Sequence, residues 1–330
     1  SMDIMVTTPD VTATTKSELT DPISSENLYV YAEQSVGSSS YAIVGMPGAK
    51  LQYNNTALVW NPMEYVYDSG NYRYQPLTWD NTGKSYYRFY GFAYTAVGSG
   101  AVLQIQNATY GRQFTITQPE SDGSSTVDYL LSSIVNVAPT NNYPLVPIEL
   151  EHAFAKVEVD VQIALAMFDG DVCRVHDISV SVGEIRRKAT MLCQQPKMYG
   201  AEGTNSWYIT FEPATRATYT QNEISNDKAV NLEDGENNVV DMEFMAIPVT
   251  NAEMADTDED IDCYVLTLGY NNTQKGDPSA PKDYTYSFKL KDYSPNGWVN
   301  GHKVKYVLTI DNSIHLKASV VDYQDVDYIE

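Results

Sequence analysis

Basic residues are scarce in this chain of 330 residues: 21 Lys plus Arg stand against 43 Asp plus Glu, a formal net charge of −22. Binding to DNA or RNA draws on counterion release onto Lys and Arg, and no basic cluster is present, so nucleic acid is not an expected partner. Anionic membrane surfaces are disfavoured for the same reason. Cysteine is rarer still. Cys173, Cys193 and Cys263 cannot all pair within one chain, and no two of them have metal-ligand spacing. One disulfide stays open as an option, against the plainer reading that each is a small buried apolar side chain. Long apolar runs are also missing: the longest, 161–168 and 242–249, fall well short of the roughly 18 residues a spanning helix needs. The chain begins Ser1-Met2, which reads as a junction. An upstream targeting segment is therefore expected to have been cut away, and its absence is no argument for the cytoplasm.

Catalytic signatures are lacking as well: G-x-S-x-G, the P-loop and H-E-x-x-H do not occur. His152, His176, His302 and His315 have no partner at metal or triad spacing and read as structural residues. The most site-like string is Asp256, Asp258, Glu259, Asp260 and Asp262, which superficially offers calcium ligands. An EF-hand loop would need Gly where Ile261 stands and Glu six positions later, so a solvated acidic loop is the better reading. Paired carboxylates for glycoside hydrolysis are a three-dimensional matter, and nothing singles out a pair. Trp60, Trp79, Trp207 and Trp298 are candidates for an exposed sugar platform, although Trp in a β-sandwich is more often core. The expectation is a non-enzyme with no cofactor and no metal site.

What the chain does have is core-forming material, with 43% hydrophobic and 19% charged residues, and an excess of tyrosine, 26 against 8 Phe. Tyrosine favours strands and suits half-buried faces and contact surfaces. Period-2 alternation recurs throughout, the signature of strands with one buried face. In 156–165, Val157, Val159, Val161, Ile163 and Leu165 oppose Glu158, Asp160 and Gln162. Similar runs occupy 177–182, 207–211, 264–268 and 284–290, the last two forming a hairpin across a long polar loop at 271–282. Noisier strands are expected at 28–32, 57–60, 86–93, 102–106 and 113–117, and a short helix at 127–134. Many short strands without a βαβ rhythm imply an all-β protein of antiparallel sandwiches. The Pro- and Asn-rich bridge 138–147 divides it into domains 1–147 and 148–330.

Three stretches together resemble the fimbrillin family, pilus subunits and surface lipoproteins of anaerobic Gram-negative gut and oral bacteria. The first is Tyr86-Tyr87-Arg88-Phe89-Tyr90-Gly91-Phe92-Ala93-Tyr94, similar to an aromatic strand of the family's N-terminal domain. The second is Asp128-Tyr129-Leu130-Leu131, followed after a spacer by Val146-Pro147-Ile148-Glu149-Leu150-Glu151-His152-Ala153-Phe154-Ala155-Lys156-Val157, which resembles an acidic–Leu–Leu segment and an apolar-x-x-His-Ala-x-x-Lys-Val strand. The third is Gly297-Trp298 and the run from Gly301-His302 to Ile310, similar to the family's C-terminal Trp-x-x-Gly strand.

The resemblance implies two tandem transthyretin-like β-sandwiches, export as an outer-membrane lipoprotein precursor, and assembly into adhesive fimbriae by donated strands. In the family a protease removes an N-terminal strand, and a strand of the next subunit fills the vacated groove, a case of β-augmentation. Carried onto this chain, residues 1–16 are the removable segment, cut after Lys16. The better-known members commonly have Arg at the cut, whereas here no Arg precedes Arg73; a subunit that keeps its first strand, as a tip or anchor would, is the alternative. Residues 314–330 are the candidate donor, with Ile314, Leu316, Ala318, Val320 and Val326 filling pockets, or else an ordinary closing strand of the second sandwich. Expected partners are other fimbrial subunits and a host or bacterial surface receptor or glycan. The other readings are a monomeric glycan-binding surface lipoprotein and a carboxylate-based glycan hydrolase.

Overall fold

The computed structural model describes residues 2–7, 28–36, 42–44, 51–54, 59–94, 101–108, 111–132, 135–139, 141–170, 172–193, 207–212, 214–223, 240–255, 263–274, 277–294 and 296–322. Over these the fold is all-β, with one short α-helix, Asn251–Met254, among the described residues. The helix starts on a capping box, Thr250 accepting from the Glu253 amide while Glu253 reaches back to the Thr250 amide.

In the first half, the Ser85–Tyr94 strand lies at the centre of a sheet ordered Leu150–His152, Tyr129–Ser132, Ser85–Tyr94, Leu28–Val36, Ala42–Val44. Alternate side chains of this central strand enter two different cores. Tyr87, Phe89 and Ala93 pack with Leu77, Trp79 and Ile148 on one face; Tyr90 and Phe92 pack with Phe114, Ile116 and Met191 on the other. Gly91 sits where the facing layer comes closest, since a Cβ there would lie 2.6 Å from Ile148 Cγ2. The second core is closed by a four-stranded sheet, Trp207–Phe211, Lys188–Cys193, Gly111–Thr117, Val102–Ala108, which joins strands from either side of residue 147 in one ladder.

The helix expected at 127–134 is instead the Tyr129–Ser132 strand. Leu130 belongs to one core while Tyr129 and Leu131 belong to the other. A strand buried on both faces has no polar alternation, and its apolar run imitated a helical face.

In the second half, two four-stranded sheets share one large core: Val240–Ala246, Ala155–Ile163, His302–Ile310, Ile314–Asp322 and Arg216–Glu223, Val175–Arg186, Val265–Gln274, Asp277–Lys289. Val157, Val159, Val161 and Ile163 point into it as their alternation requires. Two pairings depart from the antiparallel expectation: Ala155–Ile163 runs parallel to His302–Ile310, and Val6–Thr7 parallel to Val146–Pro147. Partners so distant in sequence are free of the hairpin constraint that fixes antiparallel neighbours. The long loop expected at 271–282 is also replaced. Both strands run on through it and pair as far as Gln274 opposite Asp277. Lys282 and Asp283 are exposed there, so the extension carries no apolar period for the sequence to reveal.

Candidate functional site

The N-terminal strand is seated in the first core. Val6–Thr7 is inserted between Val146–Pro147 and Val59–Asp68 as an interior strand of its sheet. Its backbone is tied on both sides: Ile4 N–H donates to the Leu77 carbonyl at 2.7 Å, Trp79 N–H to Met2 at 2.9 Å and Val146 N–H to Met5 at 3.0 Å. Alternation then sends Ile4 and Val6 inward, both at 0% exposure, onto Val30, Leu77, Trp79 and Ile148. Two side chains of a short segment therefore complete a core that the rest of the domain leaves open along one strand's width. Lys16 lies outside the described residues.

The candidate donor residues occupy a different place. Ile314–Asp322 is the edge strand of its sheet, antiparallel to His302–Ile310. Ile314, Leu316 and Ala318 are half-buried against the large core, while Val320 is 53% exposed. Val326 lies outside the described residues. The inward face of the opposing edge strand, Tyr284, Tyr286 and Phe288, is likewise half-buried against that core.

The three family-like stretches meet in space, and their residues do structural work. Tyr129–Ser132 pairs with Ser85–Tyr94 on one side and Leu150–His152 on the other, and Asp128 faces His152 at 2.8 Å with both side chains buried. The third stretch joins them through Asn300 Nδ2 donating to the His152 carbonyl at 3.2 Å and Gly301 N–H to Phe154 at 3.0 Å. Trp298 is buried and donates from its indole to Tyr306 Oη at 2.8 Å. Gly297 has φ +66°, and a Cβ on it would collide with the Val249 carbonyl, so this turn requires glycine.

His176 lies between Asp177 and Thr273, each at 2.9 Å, and His315 Nε2 is 3.2 Å from Ser313 Oγ. On the outer face of the Ala155–Ile163 strand, Glu158, Asp160 and Asp241 bring carboxylate oxygens close enough to share a cation. Lysine ammonium groups already fill that role: Lys303 is 2.7 Å from Glu158, and Lys305 is 2.8 Å from Asp160 and 3.4 Å from Glu158. Burial, with Glu158 and Asp241 adding like charge, pushes the Asp160 carboxyl up to about 6 despite Lys305. Cys263 is buried in the large core and Cys173 packs against it, both as free thiols. The acidic string 256–262 lies outside the described residues.

Of the proposed tryptophan platform, Trp79 and Trp298 are buried. Among the described residues, the exposed aromatic pair is Tyr67 and Tyr72, opposite each other on the hairpin Val59–Asp68/Asn71–Pro76. Sequence reading passed over them because Tyr is abundant and these two sit in a turn-rich stretch with no partner motif.

No family model and no curated protein matches the chain. Solved structures do. A candidate cell adhesion protein from Bacteroides uniformis aligns over 98% of this chain and 99% of its own, at 13% identity and a TM-score of 0.51. A fimbrial protein from Bacteroides vulgatus covers 90% and is covered over 93%, at 17% identity and a TM-score of 0.44. A candidate polysaccharide-binding protein from Bacteroides thetaiotaomicron covers 91%, at 12% identity and 0.40. The first of these establishes a shared all-β fold.

Proposed function

We propose that this chain is a non-enzymatic subunit of an adhesive cell-surface fibre, joined to its neighbours by strand exchange at the groove that residues 2–7 fill. The observation that carries the reading is the position of Ile4 and Val6: fully buried core residues held on a segment that a single cut can detach. Cleavage after Lys16 releases the segment. The sheet then loses an interior strand, and the faces of Trp79, Leu77, Val146 and Ile148 open to water. A strand from the next subunit, with apolar side chains at every second position, restores the ladder and refills the core.

The donor on this reading is the C-terminal run 314–330, of which Val326 and its neighbours supply the pocket-filling part while 314–318 stay on the large core. The fimbrillin resemblance and the adhesion and fimbrial names of the structural neighbours support this assignment and a cell-surface location, with a lipid anchor contributed upstream. Partners are other subunits of the fibre and a surface receptor.

The test is tryptic cleavage at Lys16 followed by sizing and electron microscopy. Oligomers that grow after the cut, and stop growing when a synthetic peptide of residues 1–16 is added in excess, are the expected result. Cleaved protein that stays monomeric, or that assembles equally well after Val326→Asp, overturns the mechanism.

A further inference from the structure

We propose that the tip of the hairpin Val59–Asp68/Asn71–Pro76 is a binding site for neutral carbohydrate, with the Tyr67 and Tyr72 rings as its stacking platform. The two tyrosines are 65% and 63% exposed, and their ring centroids lie 5.0 Å apart with planes tilted by 59°. Among the described residues the other large aromatics are buried or half-buried, with Tyr31, Tyr90, Tyr129 and Tyr306 fully buried. Two neighbouring rings left in water are therefore a local departure from how this sequence uses tyrosine.

The turn at the tip is tight. Its two residues, Ser69 at φ 52° and Gly70 at φ 92°, are the left-handed pair that such a hairpin requires. Around the rings stand polar groups at fixed places: Arg73 Nη2 lies 3.2 Å from Asp68 Oδ2, and Ser69 Oγ donates to Asp68 Oδ1 at 2.9 Å.

Size selects the class of ligand. Six residues per strand span about 20 Å, and two strands are about 10 Å wide, so the face offers on the order of 200 Å². A stable protein contact takes about 800 Å² from each partner. A pyranose ring fits: its C–H face carries partial positive charge that matches the negative face of a tyrosine ring, and its hydroxyls need carboxylate and guanidinium groups at the rim. Charge selects further. Asp68 and Arg73 neutralise each other, and the whole chain at −22 repels uronic, sialylated or sulfated sugars.

The plain alternative is that a cross-strand Tyr pair only stabilises the hairpin. The two readings separate in an experiment on the intact, uncut chain, which leaves the assembly mechanism out of play. Calorimetric titration uses hexasaccharides of glucose, mannose and N-acetylglucosamine, a hexauronate, and then an array of mammalian and bacterial glycans. Saturable binding of a neutral glycan is expected. Tyr67→Ala and Tyr72→Ala should each weaken it by about tenfold or more, Tyr67→Phe should preserve it, and the melting temperature should stay at the wild-type value. The proposal is overturned if no neutral glycan binds, if binding survives the Tyr67→Ala/Tyr72→Ala double substitution, or if the hexauronate binds best. Concentration-dependent self-association abolished by the double substitution would instead identify a contact between copies, and would also overturn it.

Discussion

Replacing Ile4 and Val6 together by Ala should loosen the first strand without unfolding the molecule. Ile→Ala removes three carbons and Val→Ala two, and at about 0.8 kcal/mol per buried carbon the lost transfer energy is about 4 kcal/mol. Both side chains are fully buried against Trp79 and Ile148, so a cavity term adds to this and the total comes to about 5 kcal/mol. If strand release is a local event, its equilibrium shifts toward the released form by about three to four powers of ten. Amide hydrogen exchange reads this directly. Protection of the Ile4, Trp79 and Val146 amides, whose bonds define the strand's seat, should fall steeply. Protection of Val157, Val159 and Val161, in the other core, should not change. The substituted protein should also assemble faster once cut at Lys16. Equal loss of protection in both cores would refute the reasoning, because the strand would then be part of one cooperative unit. Unchanged protection at Ile4 would refute it from the other side.

Four further outcomes follow from the geometry. Because burial raises the Asp160 carboxyl to about 6 in the fold, the stability it contributes is full below about pH 4 and lost as pH rises through 6; urea titrations should show that fall in the wild type and a flatter pH profile in Asp160→Asn. Gly297→Ala forces both a left-handed alanine and a clash with the Val249 carbonyl, and thermal melts should show a loss of about 3 kcal/mol or more. Asp128→Ala leaves His152 buried without its carboxylate and should cost about 3–5 kcal/mol, measurable by denaturant titration at neutral pH. Assembly after cleavage should accelerate with salt, since subunits of charge −22 repel over about 10 Å at 0.1 M but about 3 Å at 1 M; a rate that falls with salt would contradict a repulsive barrier.

Strands with one wet face were legible in the sequence, and the Trp207–Phe211 strand appears with the expected bounds. Strands buried on both faces were harder. Ser85–Tyr94 was still legible, at 86–93, but Tyr129–Ser132 read as a helix: its side chains divide between two cores, so the period that betrays a strand is filled in. The Ala155–Ile163 strand misled in the opposite sense. Its alternation is real, yet Lys156, Glu158 and Asp160 are buried too, because lysines on neighbouring strands close over the carboxylates. The sequence encodes a charge pattern along one strand, whereas the neutralising partners Lys303 and Lys305 arrive through a parallel pairing with a strand about 150 residues away. The tyrosines at the hairpin tip were invisible for a simpler reason: exposure is a property of where a hairpin ends relative to its sheet.

The strand seat borrows motif residues, Val146 and Ile148, for its walls, whereas the hairpin tip lies outside the recognisable motifs. The Asp128–His152 pair, the Gly297 turn and the Trp298–Tyr306 bond all sit where the aromatic strand, the His-Ala segment and the C-terminal strand are stitched together. Substitution there costs stability first, because each residue satisfies a buried donor, a buried acceptor or a backbone constraint. The strand seat and the hairpin tip ask less of their residues. A seat needs only apolar side chains at alternate positions, which is why Ile4 and Val6 look ordinary in sequence, and a stacking platform needs only two rings and a turn. Loose requirements of this kind permit one scaffold to keep its seams while exchanging what it binds and what it polymerises with. On that basis, grafting the first seven residues of a related subunit onto this chain should preserve its melting temperature and change its choice of assembly partner, whereas exchanging the 297–302 turn should do the reverse.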